Sequence, residues 1–186
     1  MRIERLAIPD VFAVVSQTFG DARGSFTETW RASALAEAGF ERPFVQENVA
    51  RTASAGQLRG LHFQRAPHAQ DKLVQVVAGK IFDVAVDIRP GSPTLGKWVG
   101  VTLSAEEPRL LLVPRGFAHA YLTLTDDCVV IYKVTDYYAP QAEAGLAWND
   151  PALAIDWPLA ASAIATNARD AAWPAFAEVM PSLGAR

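Results

Sequence analysis

The chain has 186 residues, 51% hydrophobic and 20% charged, which suits one ordinary globular domain able to bury a core without staples. A formal net charge of −3 with scattered basic residues excludes the clustered positive surface that a nucleic-acid partner needs. One cysteine, Cys128, excludes an internal disulfide and fits a reducing compartment, and no run approaches the roughly 18 apolar residues of a membrane span.

Met1–Ser16 reads MRIERLAIPDVFAVVS, with charges and a proline where a secretory signal needs an unbroken apolar run, so a cytoplasmic protein is expected. Within it, Leu6–Ser16 alternates loosely and is expected to form an opening strand. Asp21–Trp30 starts with turn residues, then sets Phe26, Glu28 and Trp30 against Thr27 and Thr29, the period of a strand. Arg31–Gly39 is rich in helix formers and ends on glycine at the C′ position, which predicts one short helix. Pro43–Val49 is expected to be a strand and Thr52–Gln57 a loop.

From Leu58 the pattern becomes mostly β. Lys72–Val77 and Ile81–Ile88 flank Ala78-Gly79-Lys80, which by its length and its glycine reads as a tight hairpin. Arg89-Pro90-Gly91-Ser92-Pro93 is a turn cluster. Strands are expected at Trp98–Leu103, Leu110–Val113, His119–Leu124 and Val129–Val134. Cys128 heads the last of these apolar runs and reads as core. Many short strands with little helix between them predict an antiparallel sandwich or barrel. After Tyr138 the chain carries Pro151, Pro158, Pro174 and Pro181 among many alanines, the texture of loops and short helical turns wrapping that barrel. No repeat or linker divides it, so residues 1–186 are read as a single domain.

The chemistry concentrates in Leu58–Gly79, LRGLHFQRAPHAQDKLVQVVAG, which places Arg59, His62, His68 and Lys72 ahead of and within a strand. Such groups are costly beside a sheet interior unless something uses them. The stretch resembles the first metal motif of cupin barrels, but counting back from Gly79 puts Lys72 at the carboxylate position and Ala66 and His68 at the two histidine positions. In the second motif Pro114, Gly116 and His119 match, while Thr123 stands for the asparagine. A protonated lysine cannot ligate and two imidazoles make a poor site, so the expectation is a cupin-type jelly roll without a metal. A histidine base, a lysine cation and a phenol instead suit proton abstraction beside a carbonyl. The base takes the proton, the cation holds the enolate charge, and an acid on the opposite face returns a proton. His62, Lys72 and Tyr132 can supply these roles. From the residues alone, Tyr132 could equally be core, His119 could simply bond a strand, and Asp170 could be a helix N-cap.

The strings DARGSFTETW, FVQEN, LRGLHFQ, QDKLVQVVAGKIFDVAVDIR, SPTLGKW, LLVPRGFAHAY, YKVTDYYAP and WNDPALAIDWP resemble, in order, those of dTDP-4-dehydrorhamnose 3,5-epimerases from about Asp21 to Asp170. The resemblance implies an all-β cupin-type jelly roll with a few short helices, mostly toward its two ends, that acts as a homodimer. It implies cofactor-free epimerisation at C3 and C5 of dTDP-4-dehydro-6-deoxy-D-glucose, giving dTDP-4-dehydro-L-rhamnose, a nucleotide-sugar step feeding surface polysaccharide. By position it implies His62 as base, Asp170 as the carboxylate orienting it, Tyr132 as acid and Lys72 beside the keto oxygen. It further implies substrate contacts from Arg23, Glu28, Gln46, Glu47, Asn48, Arg59, His119, Tyr138, Glu143 and Arg169, with Tyr138 stacking on thymine. The chain departs from the family at Ala120 and Tyr121, where Gly and Phe are usual, and at Arg169, where a lysine is usual. Relatives acting at only one carbon share this set, so a mono-epimerase stays open beside the double epimerase. So does a differently acting cupin, either a sugar-binding module without catalysis or a metal dioxygenase. The missing histidine speaks against the dioxygenase, and retention of His62, Lys72 and Tyr132 against pure binding.

Overall fold

The computed structural model describes residues 1–183. In chain order it runs through β1 (Arg2–Arg5), β2 (Phe12–Val15), β3 (Thr18–Asp21), β4 (Gly24–Thr27), α1 (Ala32–Glu37), β5 (Gln46–Thr52), β6 (Leu58–Gln64), β7 (Lys72–Ala78) and β8 (Lys80–Asp87). It continues with β9 (Trp98–Ser104), β10 (Arg109–Val113), β11 (Phe117–Thr123), β12 (Cys128–Val134), β13 (Glu143–Gly145), α2 (Ala168–Ala171) and α3 (Phe176–Leu183).

The strands pair antiparallel in a six-stranded sheet, β1-β2-β10-β7-β12-β5, and a five-stranded sheet, β13-β6-β11-β8-β9. These face each other as the sandwich that the strand-rich pattern predicts, in the cupin-type jelly-roll form that the resemblance implies. Alternation explains the packing: Val74, Val76, Ile81, Ala85, Phe117, Tyr121 and Val130 point inward and close the space between the sheets. The opposite parity faces outward. Leu73, Leu110 and Leu112 lie under α1, and Val84, Val86, Ala118 and Ala120 lie under Leu146, Leu153 and Val179 of the C-terminal segments. With both faces covered, β8 and β11 are apolar almost throughout, and a polar residue on their inner parity stands out.

Several expectations shift. The opening strand is two strands, because the Pro9-Asp10 turn folds Leu6 back to bond Val11 at 3.0 Å and pairs β1 with β2. Asp21–Trp30 belongs to a β3–β4 hairpin that joins neither main sheet. The strand expected at Pro43–Val49 starts later, at Gln46. The helix stands as expected, with Gly39 at C′ (φ +91°) and the Phe40 amide returning to the Leu35 carbonyl at 2.9 Å.

The largest correction concerns Ala78-Gly79-Lys80. It is no hairpin: β7 bonds β10 and β12, whereas β8 bonds β11 and β9, so this corner hands the chain from one sheet to the other. A short glycine turn serves a corner as well as a hairpin, and length alone does not separate them. Gly79 holds φ +74°, and a Cβ there would lie 2.7 Å from Cys128 Sγ and from Thr125 Oγ1.

Candidate active site

At one end of the sandwich the inward parity turns polar. Asn48 and Gln46 on β5, His62 on β6, Lys72 on β7, His119 and Tyr121 on β11 and Tyr132 on β12 line a cavity of about 390 Å³. Arg59 and Tyr138 join its lining, as do Glu143, Arg169 and Asp170 from the C-terminal wrap. The period of two that builds the core therefore also aims these side chains at one space.

His62 Nε2 lies 2.7 Å from Asp170 Oδ1. Asp170 is 1% exposed, its Oδ2 accepts from the Gly60 amide at 3.1 Å, and Arg169 Nε donates to its Oδ1 at 3.3 Å. Burial alone would raise this carboxyl, but the bond and charge of His62, the Gly60 amide and Arg169 together hold it below the usual range. The carboxylate thus fixes Nε2 as a protonated nitrogen of His62 and leaves Nδ1 as the atom that can act as base. Asp170 is not the N-cap: Asn167 takes that place, its Oδ1 accepting from the Asp170 amide at 2.7 Å. The short α2 turn thereby delivers a buried carboxylate to a strand more than a hundred residues earlier.

Lys72 is enclosed by the barrel, and desolvation pushes its ammonium down to about 8, with Asp83 and Glu143 pulling the other way. Burial also pushes the Tyr132 phenol up, offset in part by Arg59 and reinforced by Glu143, so it is a protonated donor at neutral pH. His119 Nε2 lies 2.5 Å from Asp83 Oδ1, a second histidine–carboxylate pair, of which the histidine lines the cavity and the carboxylate is buried behind it. At the rim, Tyr138 Oη and Arg169 Nη1 both donate to Glu143 Oε2, at 2.9 and 3.0 Å. Gln46 Nε2 donates to Asn48 Oδ1 at 2.8 Å, and its Oε1 accepts from the Tyr138 amide at 3.0 Å. Arg59 reaches Thr52 Oγ1 at 3.3 Å and the Arg51 carbonyl at 3.2 Å.

His62, Lys72, Tyr132, Asp170, Gln46, Asn48, Arg59, His119, Tyr138, Glu143 and Arg169 therefore line one cavity. Three expected contacts lie elsewhere in this chain. Glu47 faces away from Gln46 and Asn48 on the alternate parity and bonds Lys133. Glu28 pairs with Arg31 at 2.8 Å, and Arg23 pairs with Asp21 at 2.5 Å on the exposed hairpin. The metal-motif positions do not gather: His68 sits outside, 3.4 Å from Asp136, and Thr123 is buried, donating to the Ser54 carbonyl at 2.8 Å. Sequence reading missed Gln64, Gln70, Asn167 and Asp83, and noted Tyr121 only as a departure. Asp83 left a signal, since a carboxylate on the inward parity of the apolar run IFDVAV needs a partner. Asn167 did too, as a capping residue just ahead of the turn carrying Asp170.

The family model described as dTDP-4-dehydrorhamnose 3,5-epimerase matches residues 5–178. An enzyme of that name from Escherichia coli (strain K12) is 50% identical over 159 residues, covering 85% of each chain. The crystal structure of a dTDP-6-deoxy-D-glucose-3,5-epimerase from Legionella pneumophila, in complex with dTDP-4-keto-L-rhamnose, is 43% identical with a TM-score of 0.92, covering 98% of this chain and 96% of that one. A 3′-monoepimerase from Streptomyces bikiniensis, in complex with dTDP-quinovose, is 34% identical with a TM-score of 0.86, covering 95% and 89%.

Proposed function

From a chain that belongs to the dTDP-4-dehydrorhamnose 3,5-epimerase family, we propose an enzyme that inverts C3 and C5 of dTDP-4-dehydro-6-deoxy-D-glucose, yielding dTDP-4-dehydro-L-rhamnose. It is read as a single cytoplasmic domain that uses no cofactor. The carrying observation is that one cavity sets the His62–Asp170 pair beside the half-buried Lys72 ammonium and Tyr132 phenol. Both target carbons flank the C4 keto group, so one device serves both. His62 Nδ1 takes the proton, the C–H electron pair passes into the carbonyl, and the oxygen becomes an enolate next to the Lys72 ammonium. As the enolate collapses, carbon takes a proton from Tyr132 on the opposite face. Solvent then carries the proton from imidazolium to phenolate, restoring both groups.

The rim fits the nucleotide. Arg59 and Arg169 suit the diphosphate, and the half-exposed Tyr138 ring offers a stacking face for thymine. A homodimer completes the reading. Among the described residues the β3–β4 hairpin pairs with no other strand and exposes Phe19 and Phe26, so a second copy covering it would bring Arg23 and Glu28 toward the partner's rim. Light scattering on the purified protein tests this, and a monomer at micromolar concentration ends it.

Turnover of dTDP-4-dehydro-6-deoxy-D-glucose in deuterated water, followed by NMR, tests the reaction. Label at C3 and C5 supports the double epimerase. Label at one carbon makes the chain a mono-epimerase, and label at neither removes the reading. A stoichiometric transition metal required for activity would also remove it.

A further inference from the structure

Asp83 has no role in the chemistry above. It sits mid-strand on β8, 0% exposed, with Oδ1 2.5 Å from His119 Nε2 and Oδ2 without a hydrogen-bond partner among the described residues. A buried carboxylate with an empty oxygen is costly and persists only where its charge is used. Its surroundings supply the use. The inward parity that carries Asp83 on β8 carries His119 and Tyr121 on the adjacent β11, and the cavity they share also holds Lys72. No protein atom bonds His119 Nδ1 among the described residues, so that nitrogen is left to the cavity.

We propose that Asp83 is a positioning residue with two effects, resting on the epimerase reading above. It holds neutral His119 with the proton on Nε2, so that Nδ1 accepts a hydrogen bond from a hexose hydroxyl, and it supplies the negative charge that keeps Lys72 an ammonium beside the keto oxygen. The two effects are complementary. An acceptor for a hydroxyl and a donor for a carbonyl oxygen stand next to each other, which sets the orientation of a hydroxy-ketone ring in the cavity. An unbacked imidazole could present either tautomer, and an unbacked buried lysine would shed its proton.

Lys72 feels the charges of Asp83 on β8 and Glu143 on β13, and shares the cavity lining with Glu143, His119 on β11, His62 on β6, Tyr132 and Tyr121, while Asp83 lies behind that lining. Of these only Asp83 and Glu143 are carboxylates, and Glu143 is already bonded by Arg169 and Tyr138. Arg59 acts on the two phenols rather than on Lys72. His119 is kept neutral mainly by burial, with Asp83 opposing and Lys72 and His62 reinforcing that direction. Asp83, bonded through one oxygen only among the described residues, is therefore the less committed negative charge of this group.

The test is Asp83→Asn, which keeps the shape and removes the charge. The alkaline limb of the kcat/KM profile should move to lower pH by about one unit, the usual size for losing a nearby opposite charge, with kcat/KM falling roughly fivefold at pH 8 and roughly tenfold at pH 9 and above. Titration of the Lys72 Cε signal by NMR, which needs no turnover, should move down by a similar amount, while calorimetric dTDP affinity stays within twofold. Unmoved lysine titration together with an unmoved alkaline limb would overturn the charge role, even if activity fell. The 15N shifts of His119 in the unaltered protein judge the other half without any variant. A proton on Nε2 supports it and a proton on Nδ1 overturns it. An unaltered protein that turns over no nucleotide sugar would defeat the epimerase reading, whereas both NMR readouts would still decide about Asp83.

Discussion

Two histidines that line the cavity are cross-strand neighbours, His62 on β6 opposite His119 on β11, each is paired with an aspartate, and their environments differ. The His62 side chain is 21% exposed, and its carboxylate is satisfied on both oxygens by His62, the Gly60 amide and Arg169. The His119 side chain is 8% exposed, its carboxylate is fully buried, and one oxygen of that carboxylate has no hydrogen-bond partner among the described residues. The same two residue types are thus prepared for different work. A base that must exchange its proton with solvent each turnover needs a route to water and a carboxylate that does not wander. A hydrogen-bond acceptor needs the opposite, a sealed pair that keeps one tautomer. Exposure decides which histidine does which.

The sharpest way to break this comparison is at the base. His62→Ala should abolish exchange of the C3 and C5 protons with deuterated water, a loss of about 10³-fold or more in line with removal of a general base. Exchange at the ordinary rate would take His62 out of the mechanism and leave His119 as the candidate. Tyr132→Phe should come next, with epimerisation falling by about 10²-fold while initial exchange falls much less, because the base still works when the opposite-face acid is gone. Equal losses would mean that the phenol is not that acid.

Asp170→Asn contrasts directly with the matching change at Asp83. It should lower kcat by about ten- to a hundredfold through the base alone, leaving the alkaline limb in place, since Lys72 draws its opposing charge from Asp83 and Glu143. An alkaline limb that moved equally in both variants would erase the distinction between the pairs. The smallest effect is the pH dependence of the unaltered enzyme. Lys72 is pushed down to about 8, so the ammonium is present below that pH and is lost as pH rises through it. The rate should be about halved near pH 8 and about tenfold lower near pH 9. A profile flat to pH 9.5 would remove the lysine as the enolate's cation.

Much of this was legible from periodicity. Inward and outward parities on β7, β8, β11 and β12 follow from alternation, whereas the convergence of His62, Lys72, His119 and Tyr132 was an expectation of the family resemblance, since it depends on which strands become neighbours. The Gly79 corner was misread because a turn is local, while the choice of partner strand depends on residues thirty positions away in β10 and fifty in β12. The hairpin residues Arg23 and Glu28 resemble substrate contacts in sequence, yet this chain holds them away from its own cavity, with their charges met by Asp21 and Arg31.

The chain by itself determined the strand-rich class, the short helix closed by Gly39, and the residue types of a proton-transfer site, because each depends on local pattern or on motif spacing. Tertiary structure alone decided that Asn167 rather than Asp170 caps α2, that the freed Asp170 carboxylate meets His62, and that Asp83 stands behind His119 with an oxygen to spare. Those outcomes rest on which buried groups become neighbours across the sheets. In a low-dielectric interior the neighbour, more than the residue's own chemistry, sets where a charge or a proton resides.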